Sequence, residues 1–328
     1  MRPRFTRRQF LGSAMSSAAF AMAGSARAQS AWPTRPVKLV VSFPPGGSSD
    51  FVARTLAPLL FEALGQPFVV DNRPGAGGMI ATQGVKREKA DGYTFMISNN
   101  APFTIVPTQF KNPGYDPMSD FTHIAYLGSL FGGCIAHPKL GVKNLGDLIA
   151  KAKGAPGRYT FGSSGIGSIG HITGETFKRL AGIDLIHVAY KGAAPLRQDL
   201  AAGVVDLQFE GLLGNLPLLR SGALVALASA SPERQPPLPD VATFREQGLD
   251  MTVEYWHGLS APAQLPTEIA GRMEEALRTL MGRQDVLDKL GVYGVFYKPM
   301  TRDAFNGYVR AQLEIWKPQI IAAGVAGQ

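Results

Sequence analysis

The stretch FGSSGIGSIGH, residues 161–171, sets Gly165, Gly167 and Gly170 in the spacing G-x-G-x-x-G. Between a strand-like run and a helical pattern, that spacing seats an anion on a helix N-terminus, and in a dinucleotide fold the anion is a pyrophosphate. The dinucleotide reading requires an acid roughly 20 residues on, at the end of the next strand, to take the ribose hydroxyls. The acid available, Asp184, comes 14 residues after Gly170 and precedes the strand pattern LIHVAY, which closes on Tyr190-Lys191. Neither glycine loop of the chain carries the G-K-[ST] of a Walker loop. A small anion is the better occupant.

The second such loop is VVSFPPGGSSD, residues 40–50, again running from a β-rich strand through glycine and serine into a helical pattern. In both loops the glycines permit positive φ and bring a ligand close to the backbone amides. Ser48, Ser49 or Asp50 is predicted to cap the first helix and Ser168 the second. Each loop then presents N–H groups and the positive end of a helix dipole. One loop in each half of the chain implies a clamp.

Around these loops, short apolar runs alternate with helical patterns. Residues 36–43, 68–71 and 93–98 read as strands, and residues 51–64 as an amphipathic helix with Pro58 inside it. An apolar run at 127–137 leads into a helix at 144–153, and strand patterns follow at 158–161, 185–190 and 204–209. This rhythm predicts a largely parallel sheet covered by helices. Helical patterns at 266–281, 284–290 and 301–321 close the chain. The expectation is an α/β protein of two lobes with a helical tail.

The N-terminus has a basic start with paired Arg7 and Arg8, an apolar run at 10–23 and the small-x-small site Ala26-Arg27-Ala28. These are the parts of a twin-arginine signal peptide cleaved near Ala28, and the apolar run is shorter than the roughly 20 residues of a membrane span. A periplasmic location is expected. Losing residues 1–28 removes five arginines and no acid, which lowers the formal charge from +8 to +3. The basic character is thus partly a property of the signal and does not point to nucleic acid. The single cysteine, Cys134, excludes an intramolecular disulfide framework.

Catalytic and metal patterns are lacking. His123, His137, His171, His187 and His257 show no metal-ligand spacing. Ser163, Ser164 and Ser168 each miss a glycine of the G-x-S-x-G nucleophile elbow. Glu274-Glu275 lies on a helical pattern and reads as a solvated face. No cofactor and no enzymatic activity is expected.

Nine stretches in order carry a resemblance that covers nearly the whole chain after the signal. They are RPVKLVVSFPPGGSSDFVARTLA (35–57), LGQPFVVDNRPGAGG (64–78), ADGYTF (90–95), YDPMSDF (115–121), FGSSGIGSIGH (161–171), HVAYKG (187–192), GVVDLQF (203–209), LPDVATFREQG (238–248) and WHGLSAPAQLP (256–266). The set resembles the periplasmic receptors of tripartite tricarboxylate transporters, the Bug-type proteins. The resemblance implies a two-lobed, Venus-flytrap fold of the type II periplasmic binding class, with residues 29–130 and 252–328 in one lobe and 131–251 in the other. It also implies a small carboxylate held in the hinge cleft by amides, hydroxyls and water, and a monomer that delivers it to membrane transporter subunits. Two alternatives stay open: a ligand sensor for a membrane signalling protein, and a periplasmic enzyme exported folded. Ala189 and Ala242 stand where the family often has proline.

The expected lower seat comprises Gly46, Gly47 and Ser48, with Phe43 as a wall or as core packing and Asp50 as ligand contact or helix cap. Ser163, Ser164, Gly165, Gly167 and Ser168 form the expected upper seat. Asn99 and Asn100 follow a strand and either read a polar substituent or make a turn. His171 either donates to the ligand or bonds its own loop. Glu210, after the strand VVDLQF, either lies on an exposed loop or faces the cleft. Facing inward, it would select a ligand with an amino or ring N–H donor.

Overall fold

The computed structural model describes residues 32–327. The expected signal at 1–28 lies outside the described residues. The elements in chain order are β1 (Val37–Val41), α1 (Ser48–Leu64), β2 (Phe68–Asn72), α2 (Met79–Lys86), β3 (Thr94–Asn99), α3 (Val106–Gln109), β4 (Phe121–Ala136) and α4 (Leu145–Lys153). There follow β5 (Thr160–Ser163), α5 (Ile169–Ala181), β6 (Ile186–Ala189), α6 (Ala193–Ala201), β7 (Leu207–Gly211), α7 (Leu216–Arg220), β8 (Val225–Ser229), β9 (Glu254–Pro262), α8 (Thr267–Met281), α9 (Gln284–Gly291) and α10 (Arg302–Ala322).

The strands lie in the order β2-β1-β3-β9-β4-β7-β5-β6, with β8 also beside β4. The flanks are parallel, as the alternating pattern predicts: β1 pairs with β2 and β3, and β5 with β6 and β7. The centre departs from a largely parallel sheet, because β9 runs antiparallel to β3 and β4, and β4 antiparallel to β7 and β8. The cause is β4, which is 16 residues long and starts six residues before its apolar run does. Over residues 121–131 it pairs with β9, and over 132–136 with β7 and β8, so one strand joins the two halves of the sheet.

Each half has helices on both faces, and strand alternation sorts the side chains between them. Leu39 and Val41 face one core with Leu56, Leu60 and Met273, whereas Val40 faces another with Met96, Phe103 and Phe305. In the second half Cys134 packs with Phe161, Phe177 and Phe209, and its neighbour Ile135 packs with Leu196 and Leu212. This two-sided burial is why these strands read as unbroken apolar runs. Burial also pushes the Cys134 thiol far up, which leaves it an inert core side chain. Helix α10 spans both halves: Phe305 and Val309 pack in the first, Trp316 and Ile320 in the second.

The parallel strands end on the same side, so the loops after β1, β3, β5 and β7 converge where open α/β sheets place their ligands. Because β9 is antiparallel, its beginning stands among those ends, with His257 opposite Asn99.

Candidate functional site

A cavity of about 60 Å3 lies between the two halves, lined by Phe43, Gly47, Ser48, Asn99, Asn100, Ser164, Ser168 and Glu210 among others. Room for one water takes about 10–15 Å3, so the space accommodates a small organic ligand. A side chamber of about 20 Å3 adjoins it and shares Ser48, Ala193, Glu210 and Tyr255 with it. The halves touch around the cavity: Arg197 Nη2 of α6 donates to the Tyr293 hydroxyl at 3.2 Å.

The lower wall is the start of α1. Gly46 has φ +90°, and the helix is entered at Gly47, whose extended backbone serves as the N-cap without any side-chain bond. The capping expected of Ser48, Ser49 or Asp50 therefore does not occur. Ser48 Oγ lies 3.1 Å from His257 Nε2, and Ser49 Oγ accepts from Asn99 Nδ2 at 3.2 Å. Asp50 turns back under the loop, where its Oδ2 accepts the Gly46 N–H at 3.0 Å and its Oδ1 the Asn72 amide at 3.0 Å. Arg54 closes the cluster from the next turn at 3.0 Å. Burial alone would raise the Asp50 carboxyl, but the bonds from Arg54, Gly46 and Asn72 outweigh it and hold it below the usual carboxylate range. With its side chains engaged elsewhere, α1 leaves its first-turn N–H groups without intrahelical acceptors at the cavity.

The upper wall is differently arranged. Ser168 caps α5 as predicted, accepting the His171 N–H at 3.3 Å. Gly165 and Gly167 have φ +138° and +76°, which fold the loop back on itself. Its amides are then spent internally: Ser164 N–H goes to Glu210 Oε1 at 3.1 Å, Gly165 N–H to Ser163 Oγ at 3.3 Å, Gly167 N–H to His171 Nδ1 at 3.3 Å and Ser168 N–H to Gly165 O at 3.1 Å. His171 stacks on His187 with ring centroids 4.0 Å apart, and His187 Nε2 sits 2.7 Å from Ser163 Oγ. Burial first, and then the Lys178 charge, bring His171 down to about 4; burial, His171 and Lys178 do the same to His187. Two neutral imidazoles thus brace the loop.

Of the expected site residues, Phe43, Gly47, Ser48, Asn99, Asn100, Ser164, Ser168 and Glu210 reach the cavity. Gly46, Asp50, Ser163, Gly165, Gly167 and His171 stand behind that lining. Asn99 and Asn100 line the cavity but hold backbone: Asn99 Oδ1 accepts from Ala101 N–H, and Asn100 bridges Glu254 O and the Trp256 N–H at 3.1 and 2.9 Å. Glu210 faces inward, and burial raises its carboxyl above the usual range despite the Ser164 bonds and the charge of Arg197.

Sequence reading missed Tyr255, Trp256 and His257, which form the back of the cavity. Trp256 Nε1 and His257 Nδ1 are buried without a partner among the described residues, and burial brings His257 down to about 4, so its ring is neutral. The signal for them was available in WHGLSAP, an apolar run of strand length with no strand assigned to it. No cluster of three or more potential metal ligands occurs among the described residues, and no helix among them is long and apolar enough to cross a membrane.

Fold and cleft define the class. The structure superposes on the periplasmic binding protein BugD with a TM-score of 0.85 and 32% identity, covering 90% of this chain and all of that one. R. palustris Rpa4515, solved with adipate, matches with a TM-score of 0.87 and 34% identity over 90% of this chain and 100% of its own. The protein BugT of Bordetella pertussis is 33% identical over 287 residues, which is 87% of this chain and 88% of BugT. The tripartite tricarboxylate transporter family receptor profile matches residues 52–325. The chain belongs to this family of receptors.

Proposed function

We propose that the chain is a periplasmic receptor that captures a small carboxylate in the cavity between its halves and delivers it to membrane subunits of a tripartite transporter. One observation carries this reading: the open first turn of α1 and the closed loop before α5 line the same cavity. A carboxylate there would take N–H groups from Ser48 and Ser49, the Ser164 and Ser168 hydroxyls and the helix dipole of α1. Charge-assisted hydrogen bonds contribute about 1.5–3 kcal/mol each, and micromolar capture requires about 8 kcal/mol, so a handful suffices before ordering costs. The adipate in Rpa4515 supports a carboxylate as the ligand class. Export by the N-terminal segment would place the receptor where the solute is. Binding closes the halves through β4 and β9, and the joined surface is what the membrane subunits would meet.

Native mass spectra of the purified protein, before and after mild denaturation, test this directly. The expected result is one equivalent of a carboxylic acid released on unfolding, or, from empty protein, a thermal shift with carboxylates of three to six carbons. A released nucleotide or metal, or no shift with any carboxylate, would overturn it.

A further inference from the structure

Glu210 is out of place in a receptor for anions. It lies at the junction of the main cavity and the side chamber, with one oxygen taking the Ser164 N–H, and a ligand carboxylate beside it would be repelled. Two residues earlier on β7, and so on the same face of the strand, Gln208 also lines the side chamber. Gln208 is 1% exposed, and its Oε1 is buried with no hydrogen-bond partner among the described residues. Burying an amide oxygen unpaired is costly, which points to an occupant that supplies the donor.

The size and polarity of the chamber narrow that occupant. At about 20 Å3 the space holds one water-sized group. Its walls bring the Glu210 carboxylate, the Gln208 carbonyl and the Ser48 hydroxyl together as acceptors. The cation in the same walls, Arg197, is turned to other partners: Nε donates to Asn215 Oδ1 and Nη2 to the Tyr293 hydroxyl, both at 3.2 Å. No ion pair joins Arg197 to Glu210 among the described residues. A primary ammonium has one heavy atom, three N–H donors and a positive charge.

Resting on the carboxylate-receptor reading above, we propose that the side chamber is an amino-group subsite and that the ligand is an amino acid in the broad sense. Its carboxylate lies in the main cavity against α1, and its ammonium enters the chamber between Glu210 and Gln208. Glu210 is then the residue that separates amino-carboxylates from plain dicarboxylates.

Calorimetry on the purified protein with matched pairs tests this: succinate with aspartate, glutarate with glutamate, and adipate with 2-aminoadipate. In at least one pair the amino member should bind tighter by about tenfold or more. Glu210→Gln should shrink that preference to within about threefold, weakening the amino member and strengthening the dicarboxylate by removing the repelling charge. Gln208→Leu, which keeps the charge, should weaken the amino member alone by about threefold to tenfold. Circular dichroism confirms that each variant is folded; should Glu210→Gln fail to fold, the wild-type pairs and Gln208→Leu decide the matter. Pairs that bind alike, dicarboxylates that bind better, or variants that weaken both members equally would overturn the subsite and leave the receptor standing. Failure of all six acids to bind would overturn the subsite as well, and with a non-carboxylate released in the mass spectra the receptor reading would fall too.

Discussion

The two glycine loops look alike as sequence and are used in opposite ways. Before α1, Ser48 and Ser49 bond His257 and Asn99, and Asp50 turns back to Asn72 and the Gly46 N–H, which leaves the helix end open to the cavity. Before α5, Ser163, Glu210, His171 and the loop itself absorb four amide donors, those of Ser164, Gly165, Gly167 and Ser168. On the proposed reading the first loop receives the ligand with its amides, and the second, its amides spent, offers hydroxyls. The glycines differ accordingly. A Cβ on Gly47 would meet nothing within 4 Å, whereas one on Gly170 would stand 2.3 Å from the Phe209 carbonyl oxygen and 3.0 Å from Glu210 Oε1. The third glycine of the motif thus sets the helix against the sheet, and the lower glycine leaves space at the cavity.

The sharpest break of this contrast is Gly170→Ala. Its methyl would collide with the backbone of β7, not with a side chain that could swing away, so α5 must move off the sheet. Overpacking of this kind costs about 1–3 kcal/mol, and at about 2–4 °C per kcal/mol thermal unfolding should start several degrees lower. Glu210 and the Ser164 amide would shift with the helix, so ligand affinity should drop as well. An unchanged melting temperature would show that the close seating of α5 is not what the glycine is for.

Much of this architecture was legible beforehand. The flanking strands, the long helices and the Ser168 cap follow from apolar runs and local hydrogen bonding, which depend on near neighbours in sequence. What stayed hidden depends on partners far away in the chain. The direction of β9, which sends Trp256 and His257 into the site, is decided by pairing with β3 and β4, more than 120 residues off. Asp50 carries the right chemistry for a cap, yet Arg54 and Asn72 take it under the loop. The His171–His187 stack joins residues on a helix and a strand that no spacing rule connects. Glu210 was readable as a residue of interest, but only the fold shows that the chamber beside it is also lined by Gln208, whose Oε1 has no hydrogen-bond partner among the described residues.

The imidazole brace gives the comparison a pH dependence. Unfolded histidines take up protons near 6.5, whereas His171 and His187 in the folded protein do so only near 4, as a coupled pair. A lowered folded-state value means that the unfolded chain binds more protons, so this stability is fully present above about 6.5 and is lost as pH falls toward 4. His123 and His257, also brought down to about 4 by burial, add to the same slope from the lower half. The melting temperature should therefore fall steadily from pH 7 to pH 4.5. His187→Gln, which keeps a polar partner for Ser163, should flatten that fall by removing one of the four groups. An unaltered slope would mean that the stacked pair does not resist protonation.

The smallest effect on folding is expected from Gly47→Ala, which makes it the most informative about function. Gly47 has φ −88°, a backbone that alanine adopts without strain, and its side of the helix end faces open space. The N-cap preference costs about 0.5 kcal/mol, little enough that the melting temperature should hardly move. The methyl would nonetheless project toward the amides proposed to seat the ligand, in a cavity of only about 60 Å3. Affinity for the released or panel-identified ligand, measured by calorimetry, should fall by about tenfold, or about 1.4 kcal/mol. The two alanine variants would then separate cleanly, one losing stability through packing and the other losing affinity through access. Should Gly47→Ala bind as well as the wild type, the open turn of α1 is not the seat, and the carboxylate must be held instead by the Ser164 and Ser168 hydroxyls and the unpartnered Trp256 Nε1 at the back of the cavity.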